Sequence, residues 1–303
     1  MIILFCSDPL NPKQVDAEYE QEYRTARSMG LMTVLVDLEL LLAGDAKSAV
    51  KNVREFETTS MAIYRGWMLK PEQYREMYDV LQSKNITLIN TPEQYVHCHC
   101  LPNSFEHIQS KSVKTKWLSI QDINTSLEEI LSHFADRPLI VKDYVKSRKH
   151  DWLEACFIPN ANDSNQAEKV IRRFIELQAE MLEGGIVLRE FVKLDIIGHH
   201  PLSNIPLANE RRLFFLNHQL IANYDYWDEV IYQNDDDCIP IDSFIVLAKN
   251  IDSHFFTMDI AKKKSGEWIV MELGDGQVSG LPKNTEYTLF YERLVSENMR
   301  RSR

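Results

Sequence analysis

The sequence lacks the long apolar segments of membrane proteins and the paired cysteines of disulfide-rich ones. No run approaches the roughly 18 consecutive apolar residues that a membrane helix needs, and the apolar start, MIILFC, has none of the basic residues that begin a signal peptide. The five cysteines are odd in number and scattered, unlike a disulfide framework. We therefore expect a cytoplasmic protein with no membrane partner.

An excess of positive charge is also missing. The chain has 34 Lys and Arg against 45 Asp and Glu, a formal net charge of −11. Non-specific affinity for nucleic acid comes from clustered Lys and Arg side chains, so this balance disfavours a nucleic-acid substrate, although a local basic groove stays compatible with it. Internal repeats and low-complexity segments are absent too, and so is a Ser/His/Asp motif for nucleophilic catalysis.

A chain of 303 residues, 44% of them apolar, predicts two domains with substantial cores. Towards the amino terminus, apolar runs such as IILFC (2–6), TVLVDL (33–38) and ITLIN (86–90) alternate with helical segments. This alternation predicts an open α/β domain, whose ligands bind beyond the carboxyl ends of the strands. Arg65 ends one such run and would enter this crevice to bind a substrate anion; the alternative is a solvated surface arginine.

The stretch FFTMDIAKKKSGEWIVMELGD (255–275) predicts a β-hairpin, because two apolar runs flank the turn-forming Ser265-Gly266. With a two-residue loop, the antiparallel register places Asp259 opposite Glu272, where like charges about 5 Å apart repel each other. A cation between them relieves the repulsion, and Mg²⁺ suits a carboxylate pair that leaves room for waters and phosphates. Asp275, just beyond the strand, is a third candidate ligand. The alternative is a surface hairpin whose acidic residues face solvent.

Basic residues lie in and after the predicted strand LIVKDYV (139–145). A lysine within an apolar strand, here Lys142, is costly to bury unless it meets an anion. Lys146 projects to the same side as Lys142 if the strand continues that far, and KSRKH (146–150) forms a basic loop. Two ammonium groups on one sheet face, followed by such a loop, are well suited to a polyphosphate. The alternative is an edge-strand lysine whose head reaches solvent.

Two further segments carry polar groups. ERRLFFLNHQLIANYDYW (210–227) predicts a hairpin around Asn217-His218, with Glu210 and Arg212 on one face of its first strand. HCHC (97–100) would present alternating ligands on a strand, but a zinc site normally has a second ligand pair at a defined distance and none is evident. We therefore do not expect structural zinc.

Taken together, these elements resemble the ATP-grasp superfamily, and within it the clade named for one arginine and two lysines. The resemblance spans nearly the whole chain. One departure follows the hairpin's Glu272: many ATP-grasp enzymes place Asn two residues after the metal-binding Glu, whereas this chain has Gly274 and then Asp275. The matching positions are Arg65 in YRGW, Lys142 and Lys146 in IVKDYVKSRKHDW, the strand VLREFV, Glu210-Arg211-Arg212, and the ending ELGDGQVSGLP.

The resemblance implies an α/β and α+β protein in which a Rossmann-like N-terminal domain, residues 1–105, precedes a two-lobed ATP-grasp domain, residues 106–303. The small lobe is expected over about 106–185 and the large lobe over about 186–303. ATP binds between the lobes, and the N-terminal domain helps to bind the second substrate. The implied cofactors are ATP and Mg²⁺.

The resemblance also implies roles for individual residues. Backbone groups of Glu190, Phe191 and Val192 are expected to hydrogen-bond adenine, and Asp195 to bind the ribose. Catalysis by such enzymes is mostly positioning and charge neutralisation. The nucleotide-binding set is Lys142, Lys146, Arg189, Glu190, Phe191, Val192, Asp195 and Glu210. The catalytic set is Arg65, Lys146 and Arg212. The metal ligands are Asp259, Glu272 and Asp275.

The function implied is an ATP- and Mg²⁺-dependent carboxylate-amine ligase, which phosphorylates a carboxylate and lets an amine displace the phosphate. Its partners would be small-molecule or peptide substrates, a protein terminus among them, and a homodimer is left open. The alternatives are an ATP-dependent phosphotransferase, a nucleic-acid-modifying ligase, and a non-catalytic nucleotide-binding module. ADP and phosphate as products favour the amide ligase, and AMP with pyrophosphate favours an adenylating ligase. A phosphorylated product that accumulates favours a kinase.

Overall fold

The computed structural model describes residues 1–232, 239–283 and 285–301, and side chains as far as residue 297. In this part of the chain, strands form three main sheets and one two-stranded ribbon, with helices packed on the sheets. Four of the cysteines are buried and free, and Cys238 lies outside the described residues. Among the helices so described, none is long and apolar enough to cross a membrane.

The N-terminal sheet is mainly parallel, in the order β3-β1-β4-β5, with β2 antiparallel to the end of β1. Parallel strands connected by helices form the predicted open α/β domain. Its strands are β1 (Ile2–Asp8), β2 (Asn11–Val15), β3 (Met32–Val36), β4 (Ser60–Arg65) and β5 (Ile86–Leu88). Its helices are α1 (Glu20–Ser28), α2 (Leu38–Leu42), α3 (Ala46–Ala49), α4 (Pro71–Gln82) and α5 (Pro92–His99).

Local sequence explains how α5 begins and why its histidines and cysteines are not a strand. Thr91 caps the helix by accepting from the Gln94 N–H, and Pro92 occupies the first turn, where a missing N–H costs nothing. HCHC (97–100) therefore lies at the end of this helix. The alternating ligand geometry that a strand would give is absent here.

The small-lobe sheet is antiparallel, in the order β6-β9-β7-β8. Strand β9 pairs with both β6 and β7, so residues 186–190 belong to this sheet, and α6 runs across residue 105. The strands are β6 (Thr115–Leu118), β7 (Leu139–Asp143), β8 (Phe157–Ile158) and β9 (Ile186–Glu190). The helices of this region are α6 (Leu101–Ile108), α7 (Ile123–Ser132) and α8 (Ser164–Gln178).

The large-lobe sheet is also antiparallel, in the order β13-β12-β14-β15. Its first hairpin turns at Asn217-His218, as predicted, with positive φ at both residues. Before this sheet, the chain forms a two-stranded ribbon of β10 (Ile196–His199) and β11 (Pro206–Ala208). The sheet consists of β12 (Glu210–Leu216), β13 (Gln219–Asp225), β14 (Phe255–Lys262) and β15 (Trp268–Asp275), with helices α9 (Ile241–Ala248) and α10 (Tyr287–Arg301).

The β14–β15 hairpin confirms the predicted pairing of Asp259 with Glu272, although its turn differs from the prediction. The innermost strand pair is Lys262 with Trp268, one residue out of the register that a two-residue loop at Ser265-Gly266 would give. A β-bulge at Met271, which has no partner on β14, restores the expected register. The one-residue offset at the turn and the one-residue bulge at Met271 therefore cancel, so Asp259 still pairs with Glu272.

Candidate active site between the two lobes

Four charged side chains share one face of the large-lobe sheet. Arg212 on β12 pairs with Asp259 on β14, which pairs in turn with Glu272 on β15. Glu210 lies two residues before Arg212 and therefore projects from the same face. The predicted alternation of Glu210 and Arg212 is thus confirmed, and it brings both residues beside the acidic pair.

Each member of the acidic pair contacts a side-chain cation. Arg212 donates from Nε to Asp259 Oδ1 at 2.8 Å and from Nη2 to Oδ2 at 2.7 Å. Lys142 Nζ, which comes from the small lobe, lies 3.3 Å from Glu272 Oε2. The two cations offset the repulsion that we expected a metal ion to relieve. Repulsion by itself therefore does not demand a metal at this site.

The two carboxylates differ in their electrostatic environment. Burial raises the pKa of Asp259 above its usual range, and Arg212 opposes that rise without cancelling it. Burial would also raise the pKa of Glu272, but Lys142 outweighs this effect and lowers it. Glu272 is thus the carboxylate held ionised, and it lies at the contact between the lobes.

Glu210 is a third carboxylate near this pair. Burial raises its pKa from 4.5 to about 7, with Lys149 acting in the opposite direction. The folded protein therefore retains a proton that the unfolded chain releases near pH 4.5, so Glu210 should make stability fall as pH rises from about 4.5 to 7. The ionised form is the one that destabilises the fold.

We expect Glu210→Gln to stabilise the protein at pH 8 by on the order of 2–3 kcal/mol, because it removes a carboxylate that is costly to ionise in the fold. At pH 5 the gain should be much smaller, since Glu210 is then neutral in the native state. Urea unfolding of both proteins at the two pH values measures the difference. An equal effect at pH 5 and pH 8 would contradict the shifted titration.

Asp275 does not join the acidic pair. It lies three residues after Glu272 and projects from the opposite face of β15. Its side chain is fully buried, accepting from Asn90 Nδ2 at 2.6 Å and from the Gln277 N–H at 2.9 Å. Burial raises its pKa to about 6. Asp275 therefore lies apart from the acidic pair in this structure, where it holds the large lobe against the N-terminal domain.

Lys142 occupies the position that its strand predicts, but Lys146 does not. Lys142 is 6% exposed and reaches across to the large lobe. The strand ends at Asp143, whose Oδ1 accepts from the N–H groups of Val145 and Lys146 in a tight turn. The strand therefore does not continue as far as Lys146, which is exposed beyond the turn.

Lys149 is the basic-loop lysine whose charge acts on the acidic face. It is exposed and lowers the pKa values of Glu210, Asp259 and Glu272. The sequence placed Lys149 in a basic loop but offered no reason to prefer it to its neighbours. The turn after Asp143 decides which lysine faces the large lobe, and no periodicity in the sequence signals that turn.

Arg65 is fully buried and bound to the protein itself. Its Nε and Nη2 atoms each donate to a carboxylate oxygen of Glu22 at 2.9 Å. Its Nη1 atom donates to the carbonyls of Gly276 at 2.7 Å and Ser279 at 2.9 Å. These contacts occupy the guanidinium, so the expected direct contact with a substrate is not what the structure shows. Arg65 instead fixes the segment that follows β15 against the N-terminal sheet.

The family of this chain follows from a sequence match over residues 130–294, more than half of its length. The matching model describes an ATP-grasp domain, family 3 of the clade that is named for one arginine and two lysines. The chain belongs to the ATP-grasp family. It is thereby an ATP-dependent ligase, and the recognition of the family and of its two-lobed fold from sequence is confirmed. No curated protein matches the sequence significantly.

Solved ATP-grasp structures share this fold at low sequence identity. D-cycloserine synthetase DcsG has 12% identity and a TM-score of 0.58, with 98% of this chain and 99% of that chain covered. The D-alanine-D-alanine ligase from Coxiella burnetii has 10% identity and a TM-score of 0.61, with 99% and 95% covered. The ligase PsnB with its minimal precursor, Mg and ADP has 11% identity and a TM-score of 0.55, with 98% of each chain covered.

Residues 190–192 form the hinge that leads from β9 to the large lobe. This hinge offers some of the backbone groups that were expected to bind adenine. The N–H groups of Glu190 and Phe191 already donate to the carbonyls of Lys114 and Pro138. Within the part of the chain that the structure describes, the Val192 N–H donates to no backbone carbonyl, so it is available to a base. The Glu190 side chain accepts twice from Arg137 at 2.6 Å, so its role is to hold the hinge.

An aromatic cluster beside the ATP-grasp hinge was not predicted from the sequence. Trp152 stacks on Phe157 with ring centroids 5.2 Å apart, and both rings meet Phe191 of the hinge edge to face. Phe157 pairs with Ile140, two residues before Lys142, so its ring lies on the same sheet face as that lysine. The cluster suits a flat base at the hinge, with the phosphates directed towards Lys142.

The residues at the acidic pair fit Mg²⁺ with nucleotide phosphates. No group of three or more His, Cys, Asp and Glu side chains among the described residues is close enough to hold a metal by itself. Two carboxylates nonetheless suffice for Mg²⁺, which takes its remaining ligands from waters and phosphates. Glu272 has one oxygen beyond the Lys142 contact, and Asp259 has lone pairs beyond its two bonds to Arg212.

Asp195 remains the candidate for the ribose. It is half-buried directly after the hinge, and its carboxylate lies 3.4 Å from the Asn209 side-chain nitrogen. Its own N–H donates to the Lys262 carbonyl at 2.8 Å, which fixes this backbone against the end of β14. The carboxylate therefore has further lone pairs with which to accept from hydroxyl groups.

Proposed function

We propose that this ATP-grasp protein is an ATP- and Mg²⁺-dependent carboxylate-amine ligase that acts through an acyl phosphate. The observation that supports the proposal best is the opposed pair Asp259 and Glu272, flanked by Arg212 and met by Lys142 from the other lobe. Phosphoryl transfer needs positioning and neutralisation of charge rather than a protein nucleophile, and this constellation supplies both.

Each residue has a defined task under this proposal. Asp259 and Glu272 hold Mg²⁺, which offsets charge on the phosphates when bound. Lys142 neutralises phosphate oxygens from the small lobe, and Lys149 adds positive charge from the basic loop. Arg212 lies on the large-lobe face, where its guanidinium stabilises the phosphoryl group in transfer to the substrate carboxylate.

The substrate is proposed to be a peptide or a small molecule with a free carboxylate, joined to an amine. Among the structures that share the fold, PsnB is described with a precursor peptide and the Coxiella burnetii enzyme as a ligase of D-alanine with D-alanine. Both substrate types present a carboxylate and an amine to one site. The net charge of −11 disfavours a polyanion such as nucleic acid as a partner.

The products distinguish this proposal from its alternatives. A screen of carboxylate and amine pairs should find a pair that releases ADP and phosphate in equal amounts, together with an amide. AMP with pyrophosphate would indicate an adenylating ligase, and a stable phosphorylated product would indicate a phosphotransferase. ATP binding without any substrate-dependent turnover across the screen would favour the non-catalytic nucleotide-binding module.

Lys142→Ala should weaken ATP binding by about 2–4 kcal/mol, because a charge-assisted contact from a buried ammonium group is lost. Lys146→Ala should change ATP affinity much less, since Lys146 is exposed beyond the turn at Asp143. Calorimetry of ATP binding to the two variants measures the contrast. Equal losses of ATP affinity in the two variants would support the prediction from sequence that both lysines bind the phosphates.

A further inference from the structure

The bulge at Met271 is held by side chains from outside its own sheet. Arg189, on the small-lobe strand β9, donates from Nη1 to the Met271 carbonyl at 2.6 Å. Ser112, which precedes β6, donates from Oγ to the Val270 carbonyl at 3.0 Å. Arg189 Nη2 in turn donates to Ser112 Oγ at 3.1 Å. Arg189 and Ser112, which are hydrogen-bonded to each other, therefore donate to two successive carbonyls of β15.

This bulge determines where Glu272 projects. The pairing changes from Ile260 with Val270 to Asp259 with Glu272 because Met271 has no partner. A strand without the extra residue would move the carboxylate by one position and turn it to the opposite face. The position of Glu272 beside Asp259 therefore depends on the groups that keep the bulge in place.

Arg189 carries a buried charge that has no hydrogen bond to an anion. Its side chain is buried, with 7% exposure of the residue, and its Nε atom has no hydrogen-bond partner. The two acceptors that it does have, the Met271 carbonyl and Ser112 Oγ, are neutral. Desolvation of a buried charge costs several kcal/mol, so an apolar side chain of similar volume at this position would regain much of what it loses in hydrogen bonds. The hydrogen bonds of this guanidinium are directed at the bulge at Met271 and at the side chain that binds the Val270 carbonyl.

Arg189 also directly precedes the hinge residues 190–192. One end of this short segment thus contacts the site proposed for adenine, and the other contacts the strand that carries Glu272. We propose that Arg189 is a positioning residue that sets the Glu272 carboxylate for its metal through the Met271 bulge, and so links the hinge to the metal site. This inference rests on the proposed role of Glu272 as a Mg²⁺ ligand.

The test measures Mn²⁺ binding by electron paramagnetic resonance, with the full chain and the non-hydrolysable nucleotide AMPPNP. Arg189→Met should raise the Mn²⁺ dissociation constant by about 10- to 100-fold, the range seen when a residue that orients a metal ligand is removed. Its unfolding midpoint without ligands should stay unchanged or rise. A merely structural arginine would give the reverse pattern, with lower stability and unchanged metal affinity.

Two further variants and one control also test whether Arg189 positions Glu272 for the metal. Arg189→Lys keeps the charge but not the planar fork, so it should restore metal affinity only in part. Ser112→Ala removes the hydroxyl that holds the Val270 carbonyl, and it should raise the dissociation constant as well. Lys116→Met is the matched control, because Lys116 pairs with Leu188 and so projects from the other face of the same sheet. It should leave Mn²⁺ binding unchanged.

The outcomes separate this inference from the proposed function. If the wild-type protein with AMPPNP binds no Mn²⁺, the proposed function fails and the inference fails with it. If the wild-type protein binds Mn²⁺ and Arg189→Met binds it as tightly, the inference alone is overturned. Should Arg189→Met not fold, Ser112→Ala and Arg189→Lys decide, and wild-type Mn²⁺ affinity in both would overturn the positioning role.

Discussion

Replacing Glu272 with glutamine should lower Mg²⁺-dependent turnover by about 10²- to 10³-fold, because a bound metal contributes several kcal/mol of charge stabilisation in the transition state. The amide keeps the shape of the side chain but not its negative charge. Its oxygen still accepts from Lys142, so the contact between the lobes is preserved in weaker form. We therefore expect the variant to fold and to bind nucleotide without metal much as the wild type does.

The pH dependence of stability should also differ between the wild type and Glu272→Gln. Lys142 holds the pKa of Glu272 below its usual range, so the carboxylate contributes stability above that range and loses it as pH falls. The amide has no such contribution, and the two proteins should converge in stability at low pH. Repulsion between two carboxylates without a cation would have had the opposite effect, but Lys142 and Arg212 relieve that repulsion.

Two measurements check the Glu272 prediction. ADP release with an active substrate pair gives the loss of turnover, and Mn²⁺ binding with AMPPNP gives the loss of metal affinity before any substrate is known. Glu267→Gln is the matched control, since Glu267 lies next to the same hairpin turn and pairs with Lys263. Wild-type turnover and metal affinity in Glu272→Gln would show that the acidic pair is not the metal site.

The sequence predicted the acidic pair because strand periodicity and two apolar runs constrain a hairpin strongly. The turn of that hairpin was predicted wrongly, since nothing in the local sequence signals the bulge at Met271. That bulge depends on Arg189 and Ser112, which lie far away in the chain. The register of the strands was therefore predictable, because the alternation of apolar residues determines it. The local backbone geometry at the bulge was not predictable, because side chains distant in the sequence determine it.

The positions of the charged residues were likewise predictable only where the local sequence determines them. Lys142 was predictable because it lies inside a strand, where each position has a defined face. Lys146 and Asp275 lie beyond or at strand ends, where a turn or a change of face depends on partners such as Asn90 that are remote in sequence. The aromatic cluster of Trp152 likewise forms between segments that no periodicity relates.

Arg65 is the residue for which sequence and structure make opposed predictions about a single substitution. The sequence placed it in the substrate crevice, so its loss would abolish turnover and leave ATP binding intact. In the structure its guanidinium is fully buried against Glu22, which is 4% exposed. Tyr291 Oη also donates to the same carboxylate at 2.9 Å. Loss of the arginine would leave that carboxylate buried without its cation.

We therefore expect Arg65→Met to destabilise the protein by about 3–5 kcal/mol, the cost of breaking a buried ion pair from one side. The double variant Glu22→Gln with Arg65→Met should lose less than Arg65→Met alone, because no buried charge is then unpaired. Arg24→Met is the control: Arg24 pairs with Glu20 on the same helix as Glu22, both are largely exposed, and the change should be within about 1 kcal/mol. Urea unfolding measures all three. If Arg65→Met kept wild-type stability but had no turnover, the result would support a direct role of Arg65 in substrate binding instead.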